Sequence, residues 1–378
     1  MLDKGETAAL ILLDLSAAFD TVCHHTLCTH LYDAWISHKA LAWITSFLSG
    51  RTQRVRLPPF LVGATKTTCG VPQGSALSPT LFNIYMALLA NIIRSHNLNI
   101  VSYADDTQLI LSLTKDPTTA KTNLHDGLHA IATWMEKSRI KLNFEKTEVL
   151  ILGSNRSAWE DSWWPATLGT APTPTTHARN LGFILDSSLT MTQQANAISS
   201  SCFNTLPMLR KIFRWIPTET RKTITHALVS NRLDYSNALY AGTTAKLQKK
   251  LQRIQNASAR LILNIPRRDH ISAHLRDLHW LPVTKRITFK LLIHAHKALH
   301  NIGPAYLNER LTFHTPTRQP RSANLALAAV LRIHRTTAGS RSFSYLAAKT
   351  WNTLPAHLRQ TQDLLTFRKH LKTWLFEQ

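Results

Sequence analysis

The sequence predicts an α+β fold, an antiparallel sheet with helices on one face, followed by a mainly α-helical region. Over residues 1–153 short apolar strands alternate with amphipathic helices, whereas the pattern beyond residue 192 is almost wholly helical. The charge changes with the pattern. Residues 1–150 hold 13 Lys or Arg and 12 Asp or Glu, and residues 151–378 hold 31 and 10. We therefore expect a nearly neutral first part and a strongly basic second part.

The first part begins with the apolar run at 7–15, which predicts a buried strand that ends at a charged residue. Ser78 at the N-cap and Pro79 in the first turn predict the start of a helix that continues to residue 95. The other predicted elements are a helical stretch over 25–49, a strand over 51–57, a hairpin over 100–112, a helix over 118–138, a strand over 147–153 and a hairpin over 180–190.

The second part contains an amphipathic helix over 245–265. A repeat of four and then three residues predicts one buried stripe, formed by Leu247, Leu251, Ile254, Ser258, Leu261 and Ile265. A basic ridge without carboxylates flanks this stripe on an arc of roughly 100° and continues past the helix. It consists of Lys246, Lys249, Lys250, Arg253, Arg260, Arg267 and Arg268. The basic ridge is either a solvated helix face or a surface that binds a phosphate backbone.

The whole chain carries a formal charge of +22, which favours a polyanionic partner, either nucleic acid or an acidic membrane surface. The longest apolar run, AALILL, is too short to cross a bilayer, and we expect no membrane partner. Four cysteines without a CxxC pair indicate a reducing, intracellular compartment. The sequence does not predict an oligomeric state.

Two adjacent aspartates, Asp105 and Asp106, interrupt the apolar run VSYADDTQLIL at 101–111. They fit either a turn tip in water or a metal site. A third carboxylate, Asp14, ends the first buried strand, where an unpaired charge is costly. If the hairpin pairs beside that strand, the three carboxylates converge at one sheet edge, and their oxygens suit Mg²⁺. Two such ions form the clamp used for phosphoryl displacement.

Five segments between residues 12 and 190 resemble, in order, the successive motifs of a reverse transcriptase palm. They are LLDLSAAFDTV, GVPQGSALSPTLFNIYM, VSYADDTQLIL, KLNFEKTEVLILG and NLGFILDSSLT. The resemblance is strongest to LINE-type, non-LTR retrotransposon polymerases, including the jockey-like elements. It continues in the second part, where LHWLPVTKRITFKLLIHAHKALH, AGSRSFSYLAAKTWNTLP and TFRKHLKTWLF resemble the region that follows the polymerase in LINE elements. Five motifs in this order, with a Tyr-Ala-Asp-Asp box among them, are a specific indication of the reverse transcriptase family.

The resemblance implies a polymerase site with two Mg²⁺ ions, or Mn²⁺ in their place. The metal ligands would be Asp14, Asp105, Asp106 and the carbonyl of Leu15. Lys146 matches a family lysine proposed to protonate the leaving pyrophosphate, and a solvated lysine fits that position equally well.

The resemblance also implies contacts to the incoming nucleotide. Phe19 stands where the family has a bulky residue that rejects the ribose 2′-hydroxyl, although its spacing alone fits ordinary core packing. The family's loop against the nascent base pair is matched by Gly70, Pro72, Gln73 and Gly74. Glycines there would let the backbone approach template and nucleotide closely. Without the resemblance, the same residues would be interpreted as a turn before a helix.

By resemblance the chain divides into a palm at 1–190, a basic thumb-like region at 191–300 and a helical tail at 301–378. The implied partners are an RNA template, a DNA primer and dNTPs. The implied location is the nucleus, because relatives prime synthesis on nicked chromosomal DNA. Relatives also carry fingers and an endonuclease upstream, so we expect the chain to be the back portion of a polyprotein that is weakly active or inactive alone.

Two alternatives stay open at this point. One is a catalytically silent remnant that binds nucleic acid through its basic half. The other is an RNA-dependent RNA polymerase, against which Phe19 and the Tyr-Ala-Asp-Asp box argue.

Overall fold

The computed structural model describes residues 2–16, 18–61, 63–113, 116–153, 172–315, 326–335 and 339–378. The chain forms two compact units. One unit runs from Gly5 to Leu181, and the other comprises Gly182–Gln378 together with the short 3₁₀ segment Leu2–Lys4. The boundary between them falls in the turn around Leu181, close to the predicted hairpin at 180–190.

The first unit contains both the central sheet and the helices that cover it. Its strands are β1 (Ala8–Ser16), β2 (Thr52–Gln53), β3 (Arg56–Leu57), β4 (Phe60–Leu61), β5 (Thr65–Lys66), β6 (Asn99–Tyr103), β7 (Asp106–Ser112), β8 (Lys141–Leu152), β9 (Pro174–Thr175) and β10 (His177–Asn180). Its helices are α1 (Ala18–Thr21), α2 (His24–Asp33), α3 (His38–Leu48), α4 (Ser78–Ser95) and α5 (Pro117–Lys137).

The central sheet has five strands in the order β6, β7, β1, β8 and β9. All neighbouring pairs are antiparallel except the short β8–β9 pair, which is parallel. The sheet therefore agrees with the predicted antiparallel sheet, with one short parallel strand added at its edge. Strand β1 lies in the middle, between β7 and β8, so its residues have neighbours on both sides.

Strand β1 divides its side chains between the two faces of the sheet. Ala9, Ile11, Leu13 and Leu15 are buried in one apolar core together with side chains of α2, α3, α4 and α5. Because successive side chains of a strand point to opposite faces, Asp14 lies on the face away from those helices. The predicted arrangement, helices on one face of an antiparallel sheet, is confirmed. The opposite face carries Asp14 together with the buried Ala8 and Leu10.

Several local predictions differ from the structure. The strand predicted over 51–57 is two short strands, β2 and β3, which pair with β5 and β4 respectively. The stretch 25–49 is two helices, α2 and α3, because Trp35 and His38 adopt positive φ angles of 64° and 52° between them. Strand β8 begins at Lys141, six residues before the predicted start. Helix α4 begins at Ser78 itself, with Leu77 at the N-cap. The Ser78 hydroxyl instead donates to the carbonyl of Pro72 at 2.6 Å, which holds the preceding loop against the helix.

The second unit is mainly helical, as predicted. Its elements are β11 (Phe183–Asp186), α6 (Thr192–Phe213), α7 (Thr218–Thr225), α8 (Asn231–Asp234), α9 (Ala245–Leu263), α10 (Ser272–Asp277), α11 (Val283–Leu299), α12 (Ala305–Asn308), α13 (Phe343–Asn352), α14 (Ala356–Arg359) and α15 (Leu364–Glu377). Its apolar side chains form two clusters, one drawn from residues 183–287 and one from residues 281–375. In the described part of the chain, no helix is both long and apolar enough to span a bilayer.

Helix α9 confirms most of the predicted buried stripe. Leu247, Leu251, Ile254 and Ser258 are buried. The stripe then shifts by one position, since Ile262 is fully buried and Leu261 only partly. The helix ends at Leu263 because Asn264 adopts a left-handed conformation, so Ile265 lies beyond it.

Candidate active site

Asp14 lies beside the first residue of β7. Strands β1 and β7 pair with Leu12 opposite Gln108 and Leu13 opposite Thr107, so one further step along each strand brings Asp14 to Asp106. This proximity depends on residues about ninety positions apart in the sequence. The sheet register therefore brings together the two carboxylates that the sequence analysis expected at one edge.

The hairpin between β6 and β7 places Asp105 next to this pair. Tyr103 pairs with Asp106, which leaves Ala104 and Asp105 as a two-residue turn. Ala104 has a φ angle of 53°, a left-handed conformation that costs energy for a residue with a β-carbon. The tight turn holds Asp105 at its tip and Asp106 at the start of the strand, so both aspartates occupy the same end of the hairpin.

The three carboxylates interact through their charges. Partial withdrawal from water, followed by the charges of Asp105 and Asp14, raises the pKa of Asp106 above its ordinary value. Among the described residues, no three His, Cys, Asp or Glu side chains are arranged around a common point that could hold a metal ion. The carboxylates are thus near one another without converging on one centre, as expected of like charges that repel. Three mutually repelling oxygen donors fit a hard divalent cation.

Strand β8 borders Asp14 on its other side and contains a bulge there. Leu12 lies opposite Glu148 and Asp14 opposite Asn143, so β8 advances five residues while β1 advances two. The side chain of Asn143 accepts a hydrogen bond from the backbone N–H of Lys146 at 3.3 Å. The bulge therefore carries the exposed Lys146 close to the strand position that faces Asp14.

Leu15 and Phe19 are anchored in the core of the first unit. The Leu15 side chain is buried, and the residue pairs with Leu142 of β8. The Phe19 ring is stacked on the fully buried Phe82, with centroids 4.5 Å and planes 19° apart. Core packing of Phe19 is therefore real, and it fixes the orientation of the ring.

The loop at 70–74 is bonded to the segment that carries Phe19. The N–H of Val71 donates to the Phe19 carbonyl, and the N–H of Gly70 donates to the Val22 carbonyl, both at 2.8 Å. Gly70 has a φ angle of 84°, and a β-carbon on it would lie 2.8 Å from the Asp20 carbonyl oxygen. Only glycine fits such a close approach of two backbones.

The remaining residues of that loop are more open. Gln73 is exposed, and its amide donates to the Asp20 carboxylate at 3.3 Å. Gly74 has a φ angle of 82° with no atom near the position of a β-carbon. Pro72 is held through its carbonyl by Ser78. The structure thus brings the predicted loop and Phe19 into one locally bonded group.

Sequence reasoning missed several polar residues that support this region. The Tyr85 hydroxyl is buried and donates to the Ser138 carbonyl at 2.5 Å, which ties α4 to the end of α5. Gln108 and Asn180 exchange two hydrogen bonds of 2.7 and 3.0 Å on the face that carries Asp14. The sequence did contain a signal for Gln108: side chains alternate between the two faces of a strand, so Gln108 of β7 lies on the same face as Asp106.

The basic ridge lies in the second unit and is only partly free. Lys246, Lys249, Arg253, Arg267 and Arg268 are exposed. The other two members have local partners, since Lys250 donates to the Asn196 side chain at 2.5 Å and Arg260 to the Asp269 carbonyl at 2.7 Å.

The first half of the chain is similar in sequence to a known protein family. Residues 1–185 match the family model described as "Reverse transcriptase (RNA-dependent DNA polymerase)". Two curated relatives carry the name "RNA-directed DNA polymerase from mobile element jockey". The one from Drosophila melanogaster is 30% identical over 38% of this chain and 16% of its own length. The one from Drosophila funebris is 31% identical over 53% of this chain and 22% of its own length.

A third relative covers more of the chain. The "Probable RNA-directed DNA polymerase from transposon BS" of Drosophila melanogaster is 24% identical over 76% of this chain and 32% of its own length. The chain therefore spans between about a sixth and a third of these relatives. Among solved structures, telomerase from Candida albicans with a fragment of telomeric RNA matches at a TM-score of 0.33 and 15% identity, covering 75% of this chain and 48% of that one. From the family model and these relatives, residues 1–185 form a reverse transcriptase region that is similar to those of LINE-type, non-LTR retrotransposons.

Proposed function

We propose that this chain supplies the catalytic centre and part of the nucleic-acid grip of an RNA-directed DNA polymerase. The observation that carries the proposal is that Asp14, Asp105 and Asp106 lie near one another at one end of β1 and β7 and interact through their charges. The substrates are dNTPs, added to a DNA primer on an RNA template. The match of residues 1–185 to the reverse transcriptase family supports this assignment of reaction and substrates. The charge interaction among the carboxylates supports the placement of the site.

Asp14, Asp105, Asp106 and the Leu15 carbonyl are the groups that would hold divalent ions, Mg²⁺ or Mn²⁺. Such ions, when bound, lower the pKa of an attacking 3′-hydroxyl and stabilise the charge on a leaving pyrophosphate. The donor set fits because carboxylate and carbonyl oxygens are the ligands that these hard cations prefer. The pKa of Asp106 is raised partly by the negative charges of Asp105 and Asp14, and a bound cation would offset this repulsion.

Other residues of the first unit position the nucleotide in this proposal. The Phe19 ring, held by its stack on Phe82, would exclude a ribose 2′-hydroxyl. The loop of Gly70, Pro72, Gln73 and Gly74 would lie against the nascent base pair. Lys146, on the β8 bulge, would hold the proton given to the leaving pyrophosphate at its Nζ atom.

Primer extension on an RNA template with dNTPs and Mg²⁺ tests the proposal. We expect weak incorporation that Asp105→Asn abolishes. The matched control is Asp33→Asn, which removes an exposed carboxylate at the end of α2 and should leave incorporation unchanged. Incorporation that persists in Asp105→Asn would overturn the placement of the site. No incorporation by the native chain would favour the silent remnant.

The basic ridge is the proposed second contact to nucleic acid, and the positive charge of residues 151–378 favours it. Charge reversal at Lys246, Lys249 and Arg253 should weaken binding of any RNA and reduce its salt dependence, because phosphate contacts carry no sequence information. We place the action of the chain in the nucleus, as the family implies. A fluorescent fusion that stays outside the nucleus would count against that location.

A further inference from the structure

Helix α3 carries a column of stacked side chains that the site described above does not use. Trp43, Phe47 and Arg51 follow one another at intervals of four residues, which aligns them along one side of the helix. The rings of Trp43 and Phe47 are stacked, with centroids 6.5 Å and planes 22° apart. The guanidinium carbon of Arg51 lies 4.9 Å from the Phe47 centroid. We call these three residues the aromatic column.

The aromatic column packs against the core on one side, and its Trp43 end is exposed to solvent. Ile44 and Leu48 of the same helix are buried in the core, and Phe47 packs against that core. Arg51 is held at the base of the column, because its Nη1 donates to the Phe47 carbonyl at 3.1 Å. Trp43 at the other end is 60% exposed. A large aromatic ring on a rigid helix with one free face has the form of a stacking platform.

The charged residues that flank the column in the sequence are all Lys or Arg. From Ala34 to Ala104 the sequence contains no Asp or Glu. The same span contains six cations, namely Lys39, Arg51, Arg54, Arg56, Lys66 and Arg94. Lys39 lies one helical turn before Trp43, and Arg54 and Arg56 follow Arg51 in the strand region after the helix; all are exposed. The near-neutral total of the first 150 residues therefore conceals a basic segment between residues 34 and 104.

The two properties together select one class of partner. Cations alone would suit any polyanion, and exposed aromatic rings alone would suit a protein surface. Planar groups that can stack, flanked in the sequence by exposed cations, match unpaired nucleotides, whose bases offer flat faces and whose backbone is anionic. A duplex hides its base faces within the stack and would leave the free face of Trp43 unused.

We propose that the aromatic column, with Lys39, Arg54 and Arg56, binds single-stranded nucleic acid, and that one base stacks on the free face of Trp43. The bound strand would be an unpaired stretch of the RNA template, and only this identification rests on the proposed polymerase function. The binding itself needs no metal and none of the three aspartates.

The test is binding of a fluorescein-labelled oligo(U) 12-mer to the full chain, measured by anisotropy in EDTA. Trp43→Ala should weaken binding about fivefold or more, the loss expected when one base–aromatic stack is removed. Trp43→Phe keeps a ring and should recover most of the affinity. Trp35→Ala is the matched control, because Trp35 is 94% exposed, lies just before the same helix and is outside the column.

A second measurement locates the contact independently of the basic ridge. Photocrosslinking of a 5-iodouracil oligonucleotide, followed by trypsin digestion and mass spectrometry, should label the peptide 40–51, which contains Trp43. Equal affinity in Trp43→Ala together with an unlabelled 40–51 peptide would overturn the proposal. So would an equal loss in Trp35→Ala. A dimer of the native chain that Trp43→Ala converts to monomer would instead assign this face to self-association. Since EDTA removes divalent ions, failure of the polymerase proposal would not alter these results.

Discussion

Alanine substitution at Gly70 and at Gly74 separates two causes of glycine preference in the loop beside Phe19. Both glycines have nearly the same left-handed φ, 84° and 82°. A β-carbon at Gly74 would meet no atom within 4 Å, whereas at Gly70 it would lie 2.8 Å from a backbone oxygen and 3.0 Å from the α-carbon of Asp20. The φ penalty should therefore be common to both variants, and the clash specific to Gly70→Ala.

The magnitudes follow from the bonds that the clash would break. A left-handed alanine costs about 1 kcal/mol, which is the whole effect expected for Gly74→Ala. In Gly70→Ala the loop must also move away from Asp20. That movement strains three hydrogen bonds of 2.8 Å: Gly70 N–H to Val22, Val71 N–H to Phe19, and the His24 ring to the Gly70 carbonyl. At about 1 kcal/mol each, the total is about 3 to 4 kcal/mol.

Urea denaturation of the two variants and the native chain measures the difference. The entropy that alanine removes from the unfolded chain is common to both variants and cancels in the comparison. Equal destabilisation by Gly70→Ala and Gly74→Ala would refute the conclusion that this loop is fitted against the Phe19 segment.

Three further predictions concern single groups. Asp106→Asn should stabilise the metal-free chain at neutral pH by up to about 1 kcal/mol, a gain screened by salt. Because the folded-state pKa of Asp106 is raised, its contribution to native stability falls as pH rises above 3.8. Urea denaturation across pH should show the native chain losing stability relative to the variant as pH rises, and a constant difference would contradict this. Burial lowers the pKa of both His296 and His300, so the second unit should lose stability as pH drops below 6.5, by up to about 1.4 kcal/mol per pH unit per histidine. His300→Phe should make the slope of unfolding free energy against pH shallower in urea denaturation. An unchanged slope would contradict this. Tyr85→Phe should cost about 1 to 2 kcal/mol in thermal or urea unfolding, because the Ser138 carbonyl loses its donor.

Strong periodic patterns predicted the sheet, but local irregularities escaped them. The apolar run of β1 and the hairpin pattern predicted that Asp14 lies near the hairpin aspartates on the condition that the hairpin pairs beside β1, and β7 of the hairpin does pair with β1. The register of that pairing was not predicted. The β8 bulge was missed, since an insertion within a strand leaves no hydrophobic signal of its own. Asn143 therefore escaped notice as the residue opposite Asp14.

The helix boundaries and the buried helix faces were predicted incorrectly where contacts with neighbouring elements determine them. Nothing in the stretch from Trp35 to His38 is a glycine or proline, so the break between α2 and α3 had no marker in the sequence. In α9 both Leu261 and Ile262 are apolar, and the neighbouring helices determine which is buried. The aromatic column could not be recognised from the sequence, because the four-residue spacing of Trp43 and Phe47 also fits the buried face of a helix.

Metal binding by the three aspartates is the most direct test of the central claim, that side chains from β1 and the hairpin share one cation site. Mn²⁺ titration followed by electron paramagnetic resonance reports binding whether or not the chain is active. Asp14→Asn and Asp106→Asn should each weaken the tightest Mn²⁺ binding at least tenfold, while Asp33→Asn should leave it unchanged. Native affinity in Asp14→Asn would contradict the claim, because Asp14 would then contribute nothing to a shared site.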